Sequence, residues 1–319
     1  MTDVVALGEL LIDFACRSTD AAGYPTMAAH PGGAPANFLA ALTKFGAKTA
    51  LMGKVGSDAF GRLLLGTLES AGIGTEGMLV DENFFTTLAF VTLDETGDRE
   101  FSFARKPGAD TQVRFEELNL SLIGQAKVFH FGTLSLTDEP ARSATCQAVA
   151  YAKNAGKLIT YDPNLRKPLW KDLGVCKEQM LWGLAQADVV KISDEEVEFL
   201  FGLGVKEGAQ HILTNYGVKL VFVTCGADGC WFQNGIAWGH VPSLSGIKVV
   251  DTTGAGDIFG GSAVWKLLQY GKDPGELTEE ELRAVVTFAC TAAGLSTTKP
   301  GGIPSVPSYE EVLARIEGR

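Results

Sequence analysis

Seven consecutive residues, Asp251-Thr252-Thr253-Gly254-Ala255-Gly256-Asp257, set two carboxylates on either side of a run of small residues, and an apolar, helix-like stretch over 258–268 follows at once. Small residues let the backbone come close to a ligand, and successive N–H groups at a helix N-terminus form an anion site. A carboxylate at the end of such a turn stands beside whatever anion is held there. Phosphoryl transfer needs this arrangement: amides hold the moving phosphate while Asp257 takes a proton from an incoming hydroxyl. A second set of residues points to the acceptor. Pro31-Gly32-Gly33-Ala34-Pro35-Ala36-Asn37 leads into another apolar helix, and Asp13 closes the first apolar run. Gly32 and Gly33 permit close backbone approach, Asn37 both donates and accepts hydrogen bonds, and an ionised Asp13 suits the vicinal hydroxyls of a sugar. No cluster of cations accompanies these residues, so the site suits a neutral polyol better than a second phosphate.

Elements that must position these groups follow from the hydrophobic pattern. Strands are predicted over 4–13, 48–55, 127–131, 158–162, 189–192 and 219–224. Helices are predicted over 35–45, 59–70, 139–154, 177–187, 194–201, 206–215 and 310–316. Repeated β-α-β units with short loops indicate a doubly wound, mainly parallel sheet with helices on both faces. Asp228-Gly229 between two apolar-aromatic runs predicts a hairpin that adds antiparallel strands near the sheet edge. Two segments break the rhythm. Residues 14–33 are rich in small and turn-forming residues, and 87–105 read as an inserted β-hairpin. Strands outside the parallel sheet need another surface to bury against. We therefore expect one α/β domain over 1–319, with a small β lid, built from about 14–33 and 85–108, folded over the substrate mouth.

Composition narrows the function. The 319-residue chain has 46% hydrophobic and 20% charged residues and a formal net charge of −11, with a pI near 4.9. Nucleic-acid binding is not expected, because it needs a basic stripe to displace counterions. A polyanionic substrate must find its positive field in local amides and a metal ion. The six cysteines show no C-x-x-C and the four histidines no metal-ligand spacing. The N-terminus lacks the pattern of a signal peptide and no segment is long and apolar enough to span a bilayer. These features predict a cytosolic protein with free thiols and no membrane partner. His130, the pair Phe84-Phe85 and the pair Trp231-Phe232 are read as packing residues.

By these residues the chain resembles the ribokinase-like carbohydrate kinases, the PfkB family, nearly from end to end. Gly32-Gly33-Ala34-Pro35-Ala36-Asn37 and Asp251-Thr252-Thr253-Gly254-Ala255-Gly256-Asp257 are similar to that family's two signatures and occur in its order. Three stretches resemble its fructokinase branch: Gly8 to Phe14 (GELLIDF), Ser135 to Ser143 (SLTDEPARS) and Tyr161 to Trp170 (YDPNLRKPLW). The resemblance implies transfer of phosphate from ATP to D-fructose, giving fructose 6-phosphate. It implies Asp257 as general base, with Gly254, Ala255 and Gly256 as the anion hole. Asp13, Gly32, Gly33 and Asn37 are implied as sugar ligands, and Arg105 as a residue closing over substrate. Arg166, oriented by Asp162, would reach phosphate or sugar. Thr224, Gly226, Asp228 and Gly229, together with Ala255 and Gly256, would line the nucleotide. Glu196 would stand in the Mg²⁺ shell, although Ser193 occupies a position where the family commonly has Asn. Asp251 and Thr253, with backbone near Gly301 and Ser305, resemble a K⁺ site. An exposed lid face could pair two copies into a homodimer.

Within this reading the sugar stays open. Ribose, aminoimidazole riboside and 2-keto-3-deoxygluconate are alternatives, the last because Arg105 could meet a carboxylate. A catalytically silent nucleotide or sugar sensor is a further alternative. An NAD-dependent oxidoreductase is disfavoured, because Gly8-Glu9-Leu10-Leu11 does not supply G-x-G-x-x-G after the first strand.

Overall fold

The structure is a computed structural model that describes residues 2–93 and 99–318. Short apolar runs form the strands of its large sheet, as their composition requires. All four residues of β1 (Val4–Leu7) are buried. Val5 and Leu7 pack on one face with Phe129, Phe131, Ile159 and Tyr161, while Val4 and Ala6 pack on the other with Leu39, Leu42 and Val128. Burial on both faces explains why the strand reads as continuous apolar sequence and not as an alternating pattern.

In chain order the other strands are β2 (Leu11–Thr19), β3 (Pro25–Gly32), β4 (Thr49–Gly56), β5 (Gly74–Asp81), β6 (Leu88–Leu93), β7 (Arg99–Ala104), β8 (Val128–Gly132), β9 (Leu158–Asp162), β10 (Val189–Ser193), β11 (Leu220–Thr224), β12 (Cys230–Asn234) and β13 (Trp238–Val241). Nine of them form one sheet in the order β13-β12-β11-β10-β9-β8-β1-β4-β5. It is parallel from β5 to β11, and the β11-β12-β13 edge is antiparallel. The chain winds outward from β1 first through β4 and β5, then the opposite way through β8 to β11. The strand order therefore reverses beside β1, where open α/β sheets bind their ligands at the strand C-termini. Doubly wound α/β architecture was legible in the sequence.

A second sheet of four strands has the order β3-β2-β6-β7. It carries both inserted segments, with β2 antiparallel to β3 and parallel to β6. The turn expected over 94–98 lies outside the described residues. One expectation needs correction: residues 4–13 do not form one strand. The chain leaves the large sheet at Gly8-Glu9-Leu10, so Asp13 sits inside β2 and does not close the first strand. The cause is local. Glu9 is buried and its Oε1 accepts the Ala34 N–H at 2.9 Å, tying the strand exit to the helix Ala34–Lys44 and turning the chain away. Strand β5 and the helix Glu279–Ser296 were not anticipated either. Among the described residues no helix is long and apolar enough to cross a membrane. All six cysteines are free thiols, three of them buried.

Candidate active site

Two helices bring the two motifs together. Ala34–Lys44 starts after Gly33, and Ala255–Tyr270 starts after Gly254. They pack at Phe38, where a side chain on Gly261 would collide with the Phe38 carbonyl. The close approach sets Asn37 against Asp257, and Asn37 Nδ2 donates to Asp257 Oδ2 at 2.9 Å. Gly254 has φ +75°, the left-handed region that glycine occupies without strain. Among the described residues no side chain caps this helix; the Ala255 N–H donates to the Thr252 carbonyl at 3.2 Å, and the N–H groups of Gly256 and Asp257 are the ones available to an anion. Asp257 stands in that first turn, 9% exposed. Burial raises its pKa, while the Asn37 hydrogen bond and the charges of Lys191 and Arg166 pull it back down.

Lys191, which sequence reasoning missed, is the strongest cation here. It lies in the middle of β10 and its Nζ meets Asp162 Oδ2 and Oδ1 at 3.1 and 3.2 Å. The same ammonium lies 3.1 Å from the place a Cβ on Gly256 would occupy. Burial works against its charge, but Asp162, Glu196 and Asp257 more than offset this and hold it protonated. A half-buried ammonium over the positive end of a helix concentrates positive potential where a phosphate would rest. In the sequence it is one polar residue inside an apolar strand, and only its neighbour β9 gives it a partner.

Asp162 was expected to orient Arg166. Among the described residues its partners are Lys191 and the Asn164 N–H, the latter at 3.1 Å. Asn164 takes a left-handed φ of 45°, which tightens the turn leading to Arg166. Among the described residues the Arg166 guanidinium is bound at one nitrogen, to the Leu165 carbonyl at 3.1 Å, and its charge reaches Asp13 and Asp257. Asp13 lies against Gly32. Its pKa is pushed to about 6, by burial first, with Asp257 and Asp251 adding and Arg166 opposing.

Glu196 closes a reciprocal capping box with Ser193 at the head of the helix Asp194–Phe201. Its Oε2 accepts the Ser193 N–H at 2.8 Å and its Oε1 accepts the Leu165 N–H at 2.6 Å. Serine at 193 is thus explained as an N-cap. Asp251 gathers the opposite loop: Oδ1 accepts from Thr253 N and Oγ1 at 2.9 and 2.7 Å, and Oδ2 accepts from Gly301 N at 2.9 Å. Ser305, buried, donates to the Gly302 carbonyl at 2.8 Å. Thr224 ends β11 level with Ser193 at the end of β10. The turn Gly226–Asp228 follows it, and the Asp228 carbonyl meets His240 Nε2 at 2.7 Å. Gly229 follows, its Cα packed against Val241 and Pro242.

Arg105 departs from expectation. Its side chain is 2% exposed, and Asp110 holds both Nε and Nη2, at 2.8 and 2.7 Å. Nη1 donates to Thr137 Oγ1 at 2.7 Å and Nη2 to the Leu134 carbonyl at 3.0 Å. The residue pins the end of β7 to the segment after β8 and does not reach into the cleft with a spare charge. His130 is a satisfied core residue, stacked on Phe38 at 3.7 Å and bonded to Thr160 at 3.0 Å.

Comparison with known proteins places this geometry. A model described as "pfkB family carbohydrate kinase" matches residues 1–308. Fructokinase-2 of Solanum lycopersicum is 42% identical over 320 residues, covering 99% of this chain and 96% of the relative. The solved structure of a fructokinase with bound ATP from Xylella fastidiosa superposes with a TM-score of 0.91 at 30% identity, covering 100% of this chain and 99% of that one. A fructokinase from Vibrio cholerae O395 with fructose, ADP and calcium ion bound has a TM-score of 0.87 at 30% identity and covers 98% of each chain.

Proposed function

The chain belongs to the pfkB family of carbohydrate kinases, and we propose from that premise that it is an ATP-dependent fructokinase with Asp257 as general base. One observation carries the assignment of roles: Asp257 stands in the first turn of a glycine-led, uncapped helix, with Lys191 above the same turn. The sugar's primary hydroxyl lies against Asp257 with its oxygen aimed at the γ-phosphorus. The new O–P bond forms as the bond to the β,γ-bridging oxygen breaks, and the hydroxyl proton passes to the carboxylate. In a loose transition state that proton moves late, so Asp257 mainly orients the alcohol. The amides after Gly254 and the Lys191 ammonium receive the charge of the transferring group. Asp13 and Arg166 face the sugar and the phosphate from the opposite side. Closure of the second sheet over the mouth would exclude water.

A divalent ion fits this site as a partner of the nucleotide. Asp13, Asp162, Glu196 and Asp257 outnumber Lys191 and Arg166, and burial with mutual repulsion raises Asp13 and Asp162 to about 6. Mg²⁺ bound with the nucleotide would offset that surplus and supply charge neutralisation for the leaving group. Glu196, with both oxygens already accepting backbone N–H groups, suits a water-mediated contact. Asp251, Thr253, Gly301 and Ser305 form one loop junction that suits K⁺.

Arg105 bears on the sugar. A carboxylate substrate wants an uncommitted cation, and Asp110 has already taken this one, so a neutral ketose fits better than 2-keto-3-deoxygluconate. The second sheet ends in the strands β3 and β7, and a sheet edge suits pairing with another copy of the chain. The deciding test is a sugar panel with ATP and Mg²⁺, scored by ADP formation with and without K⁺. Fructose should turn over fastest, and faster with K⁺. Turnover of ribose or an acid sugar with fructose inert would overturn the substrate assignment.

A further inference from the structure

Asn37 has a more specific task than the sugar ligation expected of it. The residue is 4% exposed and its Nδ2 is hydrogen-bonded to Asp257 Oδ2 at 2.9 Å. Among the described residues no other donor reaches that carboxylate. The other end of the amide is walled in. Asn37 Oδ1 is buried and has no hydrogen-bond partner among the described residues, and Gly302 lies so close that a Cβ there would sit 2.5 Å from Asn37 Cγ. Gly254 crowds the same group, with its Cβ position 3.1 Å from Asn37 Nδ2.

An unpartnered buried oxygen is unfavourable, so something must hold the amide in this orientation. Rotating it by a half-turn would set Oδ1 against the Asp257 carboxylate, acceptor against acceptor. The side chain is therefore clamped by Gly302 and Gly254 on one side and by carboxylate charge on the other. It presents a single N–H to a single oxygen of Asp257, and Oδ1 of Asp257 remains for the substrate hydroxyl.

We infer that Asn37 is a positioning residue for the base: it fixes the rotamer of Asp257 through the N–H it donates, with the Gly302 backbone as its backstop. This rests on the proposed role of Asp257. It predicts that the three loops meeting here, the N-terminal motif, the glycine turn and the C-terminal Gly301-Gly302 pair, act as one unit in kcat.

The test is steady-state kinetics on the full chain with ATP and Mg²⁺, first for the wild type and then for Asn37→Ala, Asn37→Asp and Gly302→Ala. Misplacing a reacting group by about 1 Å is enough for a loss near 10²-fold. Asn37→Ala should accordingly lower kcat roughly 10–100-fold while KM for fructose moves less than about threefold. Asn37→Asp, the same shape with the donor replaced by an acceptor, should lose more kcat than Asn37→Ala. Gly302→Ala keeps the amide but pushes it, and should reproduce the kcat loss with KM again nearly unchanged. Melting curves identify any variant that fails to fold, and Gly302→Ala carries the test if Asn37→Ala is lost that way. A rise of tenfold or more in fructose KM with kcat retained, in Asn37→Ala or Gly302→Ala, would return Asn37 to the role of sugar ligand and overturn the inference. Should the wild type ignore fructose and phosphorylate another sugar, the substrate assignment fails alone, and the same KM-against-kcat split is read on that sugar. A wild type that releases ADP with no sugar overturns both.

Discussion

The floor of the cleft and the buried junction beneath the second sheet contain the same kinds of residue and put them to opposite uses. On the floor, Lys191 is bonded to Asp162, yet Asp257, Glu196 and Asp13 stand nearby in surplus, and burial holds Asp13 and Asp162 near 6. At the junction, Arg105 is enclosed by Asp110, Thr137 and the Leu134 carbonyl, with Asp138 at 3.8 Å, which Lys171 also meets at 3.5 Å. Thr87 donates to the other oxygen of Asp110. Charge left over marks a place where ligands complete the balance, whereas charge fully matched marks a joint. Burial alone does not separate the two, because the side chains of Lys191 and Arg105 are 12% and 2% exposed.

The sharpest test removes the base. Asp257→Asn should lower kcat about 10²–10⁴-fold while ATP binding, followed by calorimetry, persists. A near-normal rate would strip the floor of its function. Lys191→Met comes next. It deletes the ammonium above Gly256 and leaves Asp162 facing other carboxylates, so kcat should fall about 10²–10³-fold, the scale of losing one preorganised electrostatic partner. Lys191→Arg should recover part of that loss if charge at this place is what matters. Equal loss in both variants would show that shape, not charge, decides.

The junction should respond differently. Arg105→Met strands the buried Asp110 carboxylate and should destabilise the protein by about 3–5 kcal/mol, seen as a fall in melting temperature. Fructose KM should change less than about threefold in whatever remains folded. Restoring stability with Asp110→Leu in the same chain would mark the pair as a joint. A large rise in KM at unchanged melting temperature would instead make Arg105 a substrate contact and erase the contrast between the two regions.

Much of this was legible because it is local. The glycine turn with its terminal acid, the first motif and the β-α-β rhythm each occupy a few consecutive residues, and the structure joins Asn37 to Asp257 where the two motifs suggested one site. What escaped was either non-local or overlooked. Lys191 in β10 and Asp162 in β9 are 29 positions apart, and their meeting depends on strand order. Arg105 carried no sign that Asp110 would neutralise it, because a 5-residue separation across a loop fixes no geometry. The split at Gly8-Glu9-Leu10 was hidden by apolar residues on both sides of one buried acid. The helix Glu279–Ser296, by contrast, had a readable start. Thr278 and Glu281 form the T-x-x-E capping box before an apolar run, and the structure contains that box.

Glu9 gives the finest discrimination between joint and site, because its protonation is set by burial at the joint. Its carboxyl is pushed up to about 7, desolvation being the main cause, against the bond from Ala34 N–H. A carboxyl that holds its proton more tightly folded than unfolded favours the folded state at low pH. That advantage is complete below the unfolded pKa near 4.5 and disappears as pH rises through about 7. The range corresponds to a contribution on the order of 3 kcal/mol. His130 slopes the other way, since burial lowers its pKa to about 3 and stability is lost as pH falls below about 6.5. Glu9→Gln keeps an oxygen for Ala34 and removes the titration. Melting temperatures of the wild type and Glu9→Gln, compared from pH 5 to 8, should therefore diverge upward with pH, Glu9→Gln gaining as the wild type loses. Parallel curves would mean that Glu9 is ionised throughout, and a permanent buried charge there would have to find its counterpart in Arg105. Arg105 would then face Glu9 as well as Asp110 and Asp138, and the junction would resemble the floor more than it differs from it.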